Sequence, residues 1–179
     1  MLFKKAILLC HGILILLLSC KHNDEETYKT DNQLFISMVS RSLKFKEDAG
    51  KLLTSSGYDE RLKNYAADML LKQAALRSAL QSLAAKKNWI VPDEPGKDDQ
   101  ARLDFLRSLQ PEALQKEFPE IMVLAHQKDN EIFVSATVPG GVKDSDLRNF
   151  AEQQLPGLRD ALQEAQDLQR RMENDPGRR

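Results

Sequence analysis

From Thr30 onward the apolar residues recur at intervals of three and four, never in the strict alternation of a half-buried strand. That period predicts an all-α domain. The first long helix opens at Thr30-Asp31-Asn32-Gln33, which has the form of a capping box, and carries Leu34, Phe35, Met38, Val39, Leu43, Ala49 and Leu53 to a break at Ser55-Ser56-Gly57. The second carries Leu62, Ala66, Met69, Gln73, Leu76, Leu80 and Leu83 and ends near Asn88, with Gln73 as the polar interruption of the stripe. Two prolines between Trp89 and Gly96 forbid a continuing helix, and Trp89, Ile90 and Val91 are expected to plug one end of the core. A short helix from about Asp99 to Leu109 follows. The third long helix starts at Phe118-Pro119, with the proline in its first turn, and turns Ile121, Met122, Ala125, Ile132 and Phe133 inward up to Pro139-Gly140-Gly141. The fourth begins at Asp144 or Ser145 and passes Leu147, Phe150, Leu158, Ala161, Ala165 and Leu168, with Pro156 inside it. The expected architecture is an up-and-down four-helix bundle over residues 31–173, with a short extra helix between the second and third long ones and a frayed tail at 174–179.

The first residues obey a different pattern. Lys4 and Lys5 precede an apolar run from Ala6 to Leu18, about 13 residues, which fits the core of a secretory signal and is short of the roughly 20 residues of a spanning helix. Leu17-Leu18-Ser19-Cys20 resembles the lipobox of bacterial lipoproteins, in which the signal is cut before a cysteine that carries the lipid. On that resemblance residues 1–19 are a signal peptide and Cys20 is the lipidation site, which makes the membrane a partner through the acyl chains. The alternatives are a secretory signal cut elsewhere, although no Ala-x-Ala site is present, and an uncleaved short anchor. Residues 20–30, beginning Lys21-His22-Asn23-Asp24-Glu25-Glu26-Thr27, read as a solvated tether. A lysine followed by acids at that place also resembles the surface-export tag of Bacteroidetes-type lipoproteins. Both the periplasmic side of the outer membrane and the cell surface therefore stay open.

Composition narrows the class of partner. Removal of residues 1–19 takes away two lysines and no acid, so the 26 basic and 27 acidic residues of the chain become a net charge of about −3. A nucleic-acid ligand would require a concentrated basic face, and none is expected here. Cys10 lies inside the signal, so no disulfide or thiolate ligand remains in the folded part, and one domain held by its apolar core is expected.

Metal chemistry is the sharpest possibility for a bundle, because di-iron bundles use inward glutamates and Glu-x-x-His motifs. This chain has no Glu-x-x-His, and His126 is the lone histidine of the predicted bundle. With Asp129 and Asn130 one turn away it is a candidate for a weak mononuclear contact; a histidine hydrogen-bonded at the edge of the core is the simpler expectation. A serine nucleophile would also depend on His126 as its base, and no serine is marked out beside it. The Gly140-Gly141 pair lacks the spacing of a phosphate-binding loop. No enzyme signature and no cofactor are expected.

Phe35 with Ser37-Met38, Tyr65-Ala66-x-x-Met69, Trp89-x-x-Pro92, Phe118 with His126, and Leu155-Pro156-x-Leu158 occur in an order similar to that of domain of unknown function 4142. These are exported bacterial proteins placed with the ferritin-like bundles, and the resemblance covers roughly Asp31 to Leu168. It implies a first-helix glutamate, an Asp-His pair on the second helix and histidines on the third and fourth. Here those positions fall on Lys46, on Lys72 and Gln73, on His126 and on Ala161, so only the third-helix histidine is retained. If the family site binds metal, the resemblance implies that this chain has lost it, with Lys46 in its space as a fixed cation.

Taken together, the expectation is a lipid-anchored, non-enzymatic bundle of the bacterial envelope, an interaction or stress-associated accessory protein for an unidentified envelope partner. The rivals are a degenerate metal-binding bundle using His126, and a small-ligand carrier with a pocket near Lys46, Gln73 and His126.

Overall fold

The computed structural model of the chain describes the backbone of residues 24–54 and 58–174, and side chains from Asp31 onward within those ranges. The expected signal peptide, Cys20 and the Ser55-Ser56-Gly57 break lie outside the described residues, as does the tail from 175. Five helices and no strand occur among the described residues: α1 (Asp24–Lys51), α2 (Glu60–Lys87), α3 (Lys97–Ser108), α4 (Pro111–Thr137) and α5 (Ser145–Glu173). None of them is long and apolar enough to cross a membrane.

The helix ends follow local chemistry. Asp59 caps α2 by accepting from the Arg61 N–H, and Asn88 ends it in the left-handed region with φ 56°. Pro111 occupies the first turn of α4, where its missing N–H costs nothing. The Asp144 carboxylate accepts from the Leu147 N–H at 3.0 Å and starts α5.

Two apolar clusters mark the ends of the bundle. One gathers Phe45, Leu53, Leu62, Met69, Phe118, Met122 and Leu168; the other gathers Phe35, Val39, Leu80, Phe133, Leu147 and Phe150. Traced between them, α1 runs toward the first cluster, α2 returns, and α3, which places Leu103 and Leu106 in the first, carries the chain back again. Consequently α4 runs parallel to α2, and α5 runs antiparallel to both. The order of the long helices is up, down, down, up, which departs from the plain up-and-down order in that one respect. Spatial neighbours remain antiparallel: α1 lies against α2 and α4, α5 against α4 and α2, and α3 covers the α1/α4 edge.

Several local expectations are corrected. α1 begins at Asp24, so residues 24–30 are helical where a tether was expected; a run of acids suits a first helical turn, which favours negative charge. The Thr30-to-Gln33 capping box is therefore mid-helix. Its residues reach loops instead: Asn32 Oδ1 accepts from the Asp144 N–H, and the Gln33 amide donates to the Ile90 carbonyl and accepts from the Ile90 N–H. That clamp holds the Ile90 backbone while its side chain stays 73% exposed, so only Trp89 and Val91 pack on the core. Leu34 is likewise exposed.

The third long helix starts at Pro111, and Pro119 sits inside it. Proline there removes one backbone hydrogen bond, yet Phe118, Pro119 and Met122 are all buried, and their packing carries the helix through.

Candidate functional site: a buried polar layer

Between the two apolar clusters lies a layer of buried polar side chains. Ser42 and Lys46 come from α1, Gln73 from α2, and His126 and Asp129 from α4. Their inward direction follows from register. Phe35, Val39, Ser42, Lys46, Ala49 and Leu53 are spaced by four and three along α1, as are Met122, His126, Asp129, Phe133 and Ala136 along α4, so each polar residue occupies a place in an apolar stripe.

Lys46 is 0% exposed, and its ammonium donates to Asp129 Oδ2. The Ser42 hydroxyl donates to Asp129 Oδ1, so both carboxylate oxygens are engaged. Either charge alone in this layer would face a desolvation penalty of several kcal/mol, which the pairing and the hydroxyl offset.

His126 is 1% exposed, so it belongs to the centre of the layer and not to the edge of the core, where the sequence reading put it. Asp129 is buried beside it. The Tyr65 hydroxyl and His126 Nε2 are hydrogen-bonded at 3.0 Å, a contact that crosses the bundle between α2 and α4. Asn130 donates to the His126 and Leu158 carbonyls at 2.9 and 3.1 Å and ties α4 to α5. Burial, followed by the neighbouring Lys46 cation, pushes the imidazole down to about 3, against a smaller opposing pull from Asp129. His126 is therefore neutral at ordinary pH. Among the described residues its Nδ1 has no hydrogen-bond partner, and neither does Gln73 Oε1.

This arrangement brings Lys46 and His126 together around Asp129, with Gln73 in the same layer. Lys72, Gln73 and Ala161 border a groove of about 450 Å³ between α2 and α5; Lys46 and His126 do not line it. Sequence reasoning assigned no inward role to Asp129, Ser42 or Tyr65. For the first two, the three-four register with Phe133 and Phe35 was the available signal.

The donor set does not fit a metal ion. Among the described residues no group of three or more His, Cys, Asp or Glu side chains is placed to hold one. The one carboxylate beside His126 is already neutralised by an ammonium of the same chain.

The histidine makes stability depend on pH. Unfolded, it titrates near 6.5; folded, near 3, so the unfolded state binds more protons between those values. Its contribution is complete above pH 6.5 and is lost as pH falls toward 3, at up to about 1.4 kcal/mol per pH unit. Urea unfolding between pH 7 and 4 should show a steeper loss for the unaltered chain than for His126→Gln. Parallel curves would contradict the neutral buried imidazole.

Comparison with known proteins adds one match. A family model described as Domain of unknown function (DUF4142) matches residues 18–168, a span that takes in the entire polar layer. Neither the curated proteins nor the solved structures give a match.

Proposed function

The chain belongs to the family described as Domain of unknown function (DUF4142), and we propose that it is a lipid-anchored protein of the bacterial envelope whose helical bundle acts as a non-enzymatic interaction or stress-associated accessory module. The observation that carries the non-enzymatic part is the Lys46–Asp129 pair. A carboxylate that could serve a metal, or act as a base, is closed off by a lysine in the same layer, and the histidine beside it is neutral and bonded to Tyr65. What remains is a charge-paired core, suited to holding a surface in shape. The degenerate metal-binding alternative would need donors beyond His126, and Asp129 is not free to be one.

Anchoring is supported by the Leu17-Leu18-Ser19-Cys20 sequence. Two or more acyl chains hold a protein on a membrane, at about 0.8 kcal/mol per buried methylene, whereas one chain alone holds it only marginally. Expression of the chain and of Cys20→Ala in a lipoprotein-processing bacterium, followed by fractionation and fatty-acid labelling, tests this. The unaltered chain should be labelled and partition with membranes, and Cys20→Ala should be soluble or unprocessed and unlabelled. Membrane retention of a trimmed Cys20→Ala protein would refute the anchor. A pull-down from membranes with the anchored form then tests the interaction role, which requires a specific co-purifying protein.

A further inference from the structure

We propose that the groove between α2 and α5 is a binding site for a small amphipathic organic amine: an ammonium at the rim, an apolar body on the floor, and a second donor that reaches Gln73. This goes beyond the accessory reading above and stands independently of the anchor.

Three observations converge on it. The groove, of about 450 Å³, falls within the size of small-molecule sites and has a floor of small and apolar residues, Gly157 and Ala161 among them. At Gly157 a side chain would meet nothing within 4 Å, which shows open space at that point. The second observation is Gln73, only 5% exposed, which lines the groove while its Oε1 lacks any partner among the described residues. A buried amide oxygen without a donor is uncommon, and with the Gln73 amide turned toward the groove an O–H or N–H from a ligand would satisfy it.

Charge at the rim selects the sign of the ligand. Lys72 already donates to Glu164 at 2.7 Å and pairs with Asp68 at 2.6 Å, so its charge is matched by two carboxylates. Asp160 borders the same groove and makes no ion pair among the described residues. The rim is thus left net negative, which attracts an ammonium and repels an anion.

Tyramine presents this combination, with phenethylamine lacking the hydroxyl and 3-(4-hydroxyphenyl)propionate reversing the charge. The full chain in mild detergent would be titrated with each, following backbone amide shifts at Gly157 and Ala161 by NMR. Tyramine should bind in the groove about tenfold more tightly than phenethylamine, because the latter leaves Gln73 unsatisfied. The propionate should not bind. Gln73→Leu should erase the difference between the two amines, and Asp160→Asn should weaken both about tenfold. Gly157→Leu, which fills the groove from an open position, should abolish binding in a chain that still unfolds cooperatively. Binding of the propionate as tight as that of tyramine, an unchanged tyramine preference in Gln73→Leu, or no shifts in the groove with any probe would each overturn the proposal.

Discussion

Lys46→Met is expected to destabilise the bundle by about 3–5 kcal/mol, because it leaves Asp129 charged, buried and without its cation. The Ser42 hydroxyl would remain as the carboxylate's one donor, and a single neutral hydrogen bond does not replace an ammonium. Asp129→Leu should cost a similar amount by stranding Lys46. The double variant is the informative one. With both charges gone and the volume filled by apolar atoms, stability should return to near that of the unaltered chain or exceed it. Urea unfolding of the four proteins measures this directly. If the single substitutions cost less than about 1 kcal/mol, the pair lies in a far wetter environment than its burial implies.

The second large effect is expected at the turn between α4 and α5. A Cβ placed on Gly141 would lie 2.5 Å from the carbonyl oxygens of Ser135 and Ala136. Those are backbone atoms, so relief requires the chain to move. The same turn holds the Gly141 N–H on the Val138 carbonyl and the Val142 N–H on the Ala136 carbonyl, and it delivers buried Val142 to the core. Gly141→Ala should therefore cost about 2–3 kcal/mol. Gly140→Ala should cost less, about 1 kcal/mol, since its φ of 87° is strained for alanine but no atom lies within 4 Å. Thermal unfolding that ranks the two in the opposite order would show that backbone strain outweighs the clash.

Much of the fold was legible because helix burial has a period that sequence displays. The stripe from Leu62 to Leu80 on α2 is buried as spaced, and Gln73 sits in it as its one polar member. One proline was misread, although Pro156 was read correctly inside its helix. Pro111 and Pro119 look alike in the sequence, yet only the first sits at a helix start, because the burial of Phe118 and Met122 overrides the lost hydrogen bond at the second. Exposure at the bundle end was also not legible: Ile90 belongs to an apolar triplet, and only the clamp from Gln33, 57 residues away, decides which member points outward.

The polar layer was half legible. Lys46, Gln73 and His126 fall in core registers, but that Lys46 and Asp129 pair depends on α1 and α4 meeting antiparallel at that level. The crossover through α3 sets that arrangement, and its direction has no periodic signal. Asp129 is noticed in the sequence only as a neighbour of His126, whereas its spacing from His126 and Phe133 places it inward.

The central claim is that a lysine–aspartate pair within the chain, and not a metal ion, closes the middle of this bundle. Elemental analysis of the protein purified without an affinity tag, from cells grown with iron and zinc, tests it most directly. The account predicts far less than one metal ion per chain. Stoichiometric iron or zinc that is lost in His126→Gln would contradict it.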